Sequence, residues 1–314
     1  MLRILILTGL FISATGAASA QSRMSRFVAA TGGRRCMAYL HTSGDSKKHP
    51  LIVNLAGTGI YSMGDLSEMN PVAGFLVRKE KAVVLSIDKP GIVYAKNAPK
   101  HFRIDDAVYN QHTQRDLVEC VIHAIDWASA TGRTHPSGDI YFLTHSEGTQ
   151  ISVRVLKKLL DERKGKVVAR IKGLFLTGLV MQSAKKIINS QITDPVRNAK
   201  FWRAIQRQDD TVLRSITDVA FAYWKDILST EPNEKTLKEL AVRGVKVPLQ
   251  IYQGLQDKNT TAQPVLAFEA WNRRRLRERL PALRLQARYY QADHSLNLAA
   301  VDDMIFAFLA YLEP

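Results

Sequence analysis

Short apolar runs alternate with segments of helical periodicity along most of this chain, and that alternation limits the folds it can adopt. Seven runs have the length and apolar content of buried strands; they cover residues 36–41, 51–56, 82–87, 140–144, 171–176, 247–252 and 285–290. Between them, apolar residues return at helical spacing, as at Leu117, Val121 and Ile125. The pattern predicts an α/β fold in which helices flank a mostly parallel sheet.

One stretch interrupts the alternation. Residues 181–243 contain no strand-like run, whereas Val212, Ile216 and Val219 follow one face of a helix. We therefore expect a helical insertion at about 181–243 within one α/β domain that covers residues 21–314.

Residues 1–20 have the features of a secretory signal peptide. Arg3 is their one charged residue, residues 4–12 are mostly apolar, and Ala18-Ser19-Ala20 fits the small-x-small rule for cleavage. The alternative is a membrane anchor, but the apolar stretch is shorter than the roughly 20 residues that a spanning helix needs. We expect cleavage after Ala20, a periplasmic or secreted location, and no transmembrane segment in the mature chain.

The chain has two cysteines, Cys36 and Cys120. Export would permit a disulfide between them, although two buried thiols are an equal alternative. Neither cysteine lies in a C-x-x-C pair, and the 8 histidines show no ligand spacing such as H-E-x-x-H. We therefore expect no catalytic metal and no cofactor.

The chain is basic, because 44 Lys and Arg against 29 Asp and Glu give a net charge of +15 over 314 residues. Five arginines between 273 and 279 lie on a predicted helix, a pattern that usually marks a solvated face. No nucleic-acid motif accompanies this charge. We expect no nucleic-acid partner, and the charge balance favours anionic partners such as envelope lipids or acidic polymers.

The segment 139–149 places a serine at a tight turn. An apolar strand runs into His145-Ser146-Glu147-Gly148, and a helical pattern begins directly afterwards. A nucleophile elbow needs this strand–turn–helix context, which exposes the serine hydroxyl and points the first N–H groups of the helix at the same place. Thr144 stands where the G-x-S-x-G motif has its first glycine. Ser146 is the candidate nucleophile.

A serine nucleophile needs a base and a carboxylate that orients the base. Asp257 follows the predicted strand 247–252, and His294 follows the strand 285–290. Loops at the carboxyl ends of parallel strands meet at one edge of a sheet. This placement favours Asp257 over Asp88 and Asp293 as the acid, and His294 as its partner.

The strand 51–56 ends in a glycine-rich loop, Gly57-Thr58-Gly59. Such a loop can bring a backbone N–H beside that of Glu147, and the two together would form an oxyanion hole. We therefore expect Gly57, Thr58 and Glu147 to surround the carbonyl oxygen of a substrate.

With these motifs, residues 51–312 resemble the α/β-hydrolase superfamily. The sequence is similar to its small esterase, dienelactone-hydrolase-like and acyl-thioesterase branches, in which Glu follows the nucleophile as in Ser146-Glu147-Gly148. The run 86–91 is similar to the Asp-x-x-Gly turn of these enzymes. The resemblance implies Ser146 as nucleophile, His294 as base and then acid, and Asp257 as its orienting carboxylate. It also implies that the insertion 181–243 is a cap.

We therefore expect an exported serine hydrolase that cleaves small-molecule or lipid-like carboxylic esters or thioesters through an acyl-enzyme. Candidate substrate-binding residues are Trp202, Phe221 and Trp224 in the cap and Tyr94 in a long loop. Two alternatives stay open: an exported serine peptidase with the same triad, and a non-catalytic binding protein on a hydrolase fold. The sequence leaves the oligomeric state and the exact substrate open.

Overall fold

The computed structural model of the chain describes residues 23–31, 34–45, 49–66, 71–79, 81–98, 100–132, 134 and 138–312. The predicted signal peptide, residues 1–20, lies outside them. None of the helices in the described ranges has both the length and the apolar character to span a membrane.

An eight-stranded sheet forms the centre of the described chain. In spatial order its strands are β1 (Arg23–Thr31), β2 (Arg34–Thr42), β4 (Val83–Ile87), β3 (Leu51–Leu55), β7 (Ile140–His145), β8 (Ile171–Thr177), β9 (Leu249–Gly254) and β10 (Leu285–Tyr290). Six neighbouring strands, β4, β3, β7, β8, β9 and β10, run parallel. Strand β2 pairs antiparallel with both β4 and β1. Strands β5 (Ile92–Tyr94) and β6 (Phe102–Ile104) form a separate antiparallel pair.

Twelve helices accompany the strands within the described residues. They are α1 (Pro71–Arg78), α2 (Asp106–Tyr109), α3 (Gln114–Ala130), α4 (Glu147–Asp161), α5 (Gly165–Arg170), α6 (Ala184–Gln191), α7 (Pro195–Arg207), α8 (Asp210–Thr217), α9 (Phe221–Ser229), α10 (Asn233–Val242), α11 (Ala262–Arg277) and α12 (Leu298–Leu312). The mostly parallel α/β prediction is confirmed, and each of the seven predicted strands coincides with a strand of the sheet. The sequence pattern does not predict β1, because Arg23, Ser25 and Arg26 interrupt its apolar residues.

The sheet has a hydrophobic core on each face. Alternating strand residues supply both, so that Val53 and Phe142 pack on one face while Ile52 and Tyr141 pack on the other. The first core is covered by α3, α4, α10 and α11, and the second by α1 and α12. Strands β3 and β4 are buried along their whole length, as expected for parallel strands covered by helices on both faces.

The stretch without predicted strands contains helices α6 to α10. Helices α6 to α9 share an apolar cluster of their own, which we call the insertion core; it contains Ala184, Ile188, Phe201, Ala204, Leu213, Val219, Tyr223, Trp224 and Ile227. Helix α10 is packed differently, because Leu237, Leu240 and Ala241 join the core of the sheet. The connection between β8 and β9 therefore holds a small helical body with its own packing.

A disulfide joins Cys36 in β2 to Cys120 in α3, and both residues are buried. Closing a loop with a sequence separation of 84 restricts the unfolded chain, and loss of such a bond typically costs about 2–5 kcal/mol. We expect the free energy of unfolding in urea to fall by that amount in a Cys36→Ser/Cys120→Ser variant. A thiol probe applied to the denatured, unreduced protein should find no free thiol; two titratable thiols would contradict the bond.

Candidate active site

Ser146 lies between the end of β7 and the start of α4, in a backbone conformation that few L residues adopt. Its φ is 51° and its ψ is −117°, a sparsely populated region that persists only where neighbouring structure fixes it. The fixing contacts are a hydrogen bond from Ser146 N to Thr177 O of 2.9 Å and one from Thr149 Oγ1 to Ser146 O of 2.6 Å. The turn holds the Ser146 side chain at the carboxyl edge of the sheet.

The residues on either side of Ser146 explain how the chain accepts this turn. A Cβ on Gly148 would lie 2.4 Å from Leu55 O, so no larger residue fits there without a shift of β3. Thr144 replaces the usual glycine and is fully buried. Its Oγ1 lies 3.4 Å from both Ser152 Oγ and Phe175 O, so the hydroxyl is paired beneath the turn. The turn therefore accommodates Thr144 in place of the first glycine of the motif.

His294 follows β10 and Asp257 follows β9, and their side chains meet. His294 Nδ1 lies 2.7 Å from Asp257 Oδ2. The carboxylate also accepts hydrogen bonds from Asn259 N, Thr260 N and Thr260 Oγ1, at 2.8, 2.8 and 2.6 Å. Burial opposes ionisation of Asp257, but the bonds from His294 and Thr260 outweigh it and lower its pKa to about 2. An ionised Asp257 holds the proton of His294 on Nδ1, which leaves Nε2 to accept another.

Asp88 and Asp293, the two alternative candidates for the acid, have other partners. Asp293 is exposed and accepts a hydrogen bond from Ser295 N. Asp88 is buried and accepts from Tyr39 Oη, Ser62 Oγ and Met63 N. Burial raises the pKa of Asp88 to about 6, and its three bonds tie β2 and β4 to the loop after β3.

A second imidazole packs against His294. The rings of His145 and His294 have centroids 4.6 Å apart, and His145 Nδ1 lies 2.9 Å from Thr177 Oγ1. Burial, followed by the nearby charge of His294, lowers the pKa of His145 to about 4. His145 is therefore neutral at neutral pH and adds no positive charge beside His294.

The glycine-rich loop after β3 lies against the serine turn. A Cβ on Gly57 would lie 3.0 Å from Ser146 Cβ, so the loop backbone approaches the serine as closely as glycine permits. The first N–H groups of α4, beginning with Glu147, have no acceptor within the helix. Gly57, Thr58 and Glu147 line one cavity together with Ser146 and His294.

Glu147 itself is part of a buried polar cluster that the sequence does not reveal. Its carboxylate is 2% exposed, lies 3.0 Å from Lys89 Nζ and accepts a 2.5 Å hydrogen bond from Tyr223 Oη of α9. Burial alone would raise the pKa of Glu147, but Lys89 and Tyr223 outweigh it, so the pKa is lowered. Gln114 also donates to this carboxylate, at 3.3 Å. Glu147 and its three partners come from four separate parts of the chain, so no local pattern in the sequence could have indicated the cluster.

The shared cavity has a volume of about 880 Å³ and lies between the serine turn and helices α6 to α9. Of the four predicted substrate-binding residues, Trp224 lines it. The other three have contacts elsewhere: Trp202 donates to Asn189 Oδ1, Phe221 packs against the insertion core, and Tyr94 packs edge-on against Tyr39. The apolar wall toward the insertion is instead rich in isoleucine, at positions 187, 188, 192, 216 and 227.

The sequence predicts neither a metal site nor a cofactor site. In the part of the chain that the structure describes, no three His, Cys, Asp or Glu side chains gather in a way that could hold a metal ion.

No protein-family model matches the sequence, and no curated protein is significantly similar to it. The structure is nevertheless similar to solved structures. An esterase from Pyrococcus furiosus aligns with a TM-score of 0.60 at 12% identity, over 94% of this chain and 91% of that one. Est1E from Butyrivibrio proteoclasticus, solved with bound ferulic acid, aligns with a TM-score of 0.57 at 15% identity, over 91% of this chain and 97% of that one.

A puromycin-hydrolysing peptidase from Mycobacterium tuberculosis aligns with a TM-score of 0.61 at 11% identity, over 95% of this chain and 40% of that one. At such low identity these likenesses concern the fold. The sheet order and the likeness to esterases and other hydrolases together establish that the chain has the α/β-hydrolase fold.

Proposed function

We propose that the protein is a serine hydrolase that cleaves carboxylic esters or thioesters. The observation that carries the proposal is the pairing of His294 Nδ1 with the buried Asp257 carboxylate at 2.7 Å, beside a cavity that Ser146 also lines. A strained serine turn, an oriented imidazole and a glycine-rich loop at one sheet edge are the parts that acyl transfer to water requires. The likeness to solved esterases supports the same activity.

In the proposed reaction, Ser146 Oγ attacks the substrate carbonyl and His294 Nε2 takes the hydroxyl proton. The N–H groups of Thr58 and Glu147 stabilise the negative charge on the carbonyl oxygen. His294 then gives its proton to the leaving alcohol or thiol, and the acyl group remains on Ser146. A water molecule, deprotonated by His294, attacks the acyl-enzyme. The bond between Ser146 Oγ and the acyl carbon then breaks, His294 returns the proton to Ser146 Oγ, and the acid is released. Asp257 stays ionised and stabilises the imidazolium in both halves.

The peptidase alternative has weaker support. A peptidase site would need an acidic group to hold a substrate amine, and the sequence offers Glu231, Glu234 and Glu239 in this region. Each of these carboxylates is within 3 Å of a lysine, namely Lys235, Lys238 and Lys157 in turn. An ester or thioester, which needs no such group, fits the apolar cavity better.

We further propose that the chain is exported after cleavage behind Ala20 and that helices α6 to α9 act as a cap over the site. A disulfide between Cys36 and Cys120 is typical of exported proteins, and the isoleucines of the insertion face the cavity that Ser146 lines.

The nucleophile can be tested directly with a fluorophosphonate probe, which reacts covalently with activated serines. The mature protein should take up one probe per chain, and peptide mapping should place it on Ser146. Prior incubation with an ester substrate should slow the labelling. Absence of labelling would overturn the proposal and favour a non-catalytic binding protein. Labelling of a different serine would exclude Ser146 as the nucleophile.

Trp224 is expected to set acyl-chain preference. Its side chain lines the cavity, so Trp224→Ala opens space for a longer acyl group. The ratio of kcat/KM for p-nitrophenyl octanoate over acetate should change by about 5- to 10-fold, since apolar pockets discriminate by such factors. Trp202→Ala is the matched control, because it removes the same side chain where it bonds Asn189. An equal shift in both variants would assign Trp224 to folding of the insertion.

A further inference from the structure

Lys89 is a buried cation that lies close to three oxygen atoms. Its Nζ lies 3.0 Å from Glu147 Oε2, 3.1 Å from Gly57 O and 3.1 Å from Gly59 O. The ammonium group donates hydrogen bonds to the two carbonyl oxygens and forms an ion pair with the carboxylate. The charge therefore has a fixed position behind the loop that follows β3.

That loop forms a wall between two cavities. Ala56 and Gly57 line the large cavity, which Ser146 shares, and also a small inner cavity of about 20 Å³. Lys89 lines the inner cavity together with core residues of α3 and α4. Lys89 and Ser146 thus contact opposite sides of the same stretch of backbone.

The geometry of the peptide group determines the direction of the N–H group that follows Gly57. In a trans peptide, the C=O of one residue and the N–H of the next point in opposite directions. Gly57 O is held on the inner side by two donors, Lys89 Nζ and Tyr61 Oη. The N–H of Thr58 belongs to the same peptide unit and consequently points away from Lys89, and Thr58 lines the cavity that contains Ser146.

We propose that Lys89 is a positioning residue of the oxyanion hole: by holding Gly57 O it aims the Thr58 N–H at the carbonyl oxygen and strengthens that N–H as a donor. The inference rests on the proposed hydrolase function. The strengthening follows because a buried cation on the C=O polarises the whole peptide unit.

Glu147 compensates the buried positive charge of Lys89 and connects Lys89 to the serine turn. Its side chain pairs with Lys89, while its backbone N–H begins α4 beside Ser146. One ion pair therefore braces both expected oxyanion donors, Thr58 and Glu147. Buried ion pairs of this kind often contribute little net stability compared with apolar replacements, so a role in geometry accounts for this pair better than stability does.

The test replaces Lys89 by methionine, an unbranched side chain one atom shorter that carries no charge. Lys89→Met should lower kcat for p-nitrophenyl butyrate by about 10- to 100-fold, less than or equal to the effect of deleting an oxyanion donor outright. KM should stay within about 3-fold, because the ground-state carbonyl gains little from the donor. The affinity for a trifluoromethyl ketone, whose adduct with Ser146 carries an oxyanion, should weaken in parallel with kcat/KM.

Two further variants keep the test decisive. Lys89→Met leaves Glu147 buried without its cation, which destabilises the folded protein. The double variant Lys89→Met/Glu147→Gln removes both charges and should show the same loss of kcat. Tyr61→Phe removes the second donor to Gly57 O and leaves the ion pair in place; a smaller loss, about 3- to 10-fold, is expected, since one donor remains. Lys157→Met is the control, because Lys157 pairs with Glu239 on the surface.

The outcomes separate this inference from the proposed function. If the wild-type protein neither hydrolyses esters nor takes the fluorophosphonate probe, the proposed function fails and this inference fails with it. If the wild type is active and the folded Lys89 and Tyr61 variants retain its kcat and its ketone affinity, the positioning role alone is overturned. A fall in kcat without weaker ketone binding overturns it too, because a purely structural defect would produce that pattern.

Discussion

Replacement of Ser146 by alanine is expected to lower kcat/KM for p-nitrophenyl butyrate by about 10⁴-fold or more, because no other group in the proposed mechanism can form the acyl-enzyme. The substitution removes one hydroxyl oxygen and leaves the turn with the same backbone. The melting temperature should therefore stay close to that of the wild type. Stopped-time assays with enough enzyme to detect the residual rate provide the measurement.

Ser229→Ala is the matched control for this experiment. Ser229 ends α9, is exposed, and its hydroxyl bonds the carbonyl of Asp226. That variant should retain the wild-type rate. A Ser146→Ala enzyme that also retained the wild-type rate would exclude Ser146 as the nucleophile, whatever the stability of the protein.

Asp257→Asn is expected to lower kcat by roughly 10²- to 10⁴-fold at neutral pH, the second-largest effect. The carboxylate accepts the Nδ1 proton of His294 at 2.7 Å. An asparagine amide can donate to Nδ1 instead, which moves the ring proton to Nε2 and deprives Ser146 of its base. Asp293→Asn serves as the control, because Asp293 adjoins His294 in sequence but is exposed; its rate should stay within about 3-fold of wild type. A loss confined to Asp293→Asn would reverse the assignment of the acid.

The same carboxylate has a consequence for stability. With a pKa of about 2 in the folded protein against 3.8 in the unfolded chain, the ionised Asp257 contributes about 2 kcal/mol above pH 4. The folded state binds this proton less readily, so the contribution is lost as the pH falls from about 4 toward 2. Asp257→Asn should therefore show a shallower decline of the unfolding free energy over that interval than the wild type.

Much of the site could be predicted because it depends on strand ends. Ser146, Asp257 and His294 each follow a strand that is evident from its apolar run, and parallel strands deliver such residues to one edge. The placement of these three residues therefore needs only the order of elements along the chain. Thr144 shows the limit of motif matching, since a buried threonine with paired hydroxyl occupies a position that the motif reserves for glycine.

The substrate wall could not be predicted in the same way. Trp202, Phe221 and Trp224 are equally aromatic and close together in sequence, yet Trp224 lines the cavity and the other two have contacts elsewhere. Which ring faces the cavity depends on how four short helices pack together, and no periodicity within one helix specifies that. The pairing of Lys89 with Glu147 was hidden for a related reason, because it joins a strand end to a distant helix start.

The separate core of helices α6 to α9 bears on how such an enzyme could change over generations. The residues of the insertion core pack among themselves, whereas the strands that deliver Ser146, Asp257 and His294 pack in the two cores of the sheet. A substitution that reshapes the isoleucine wall alters the packing of the small helical body, while the residues of the two sheet cores keep their contacts with one another. New substrate preferences could therefore accumulate in the insertion by ordinary mutation, while the three proposed reacting groups and their supporting strands are inherited unchanged.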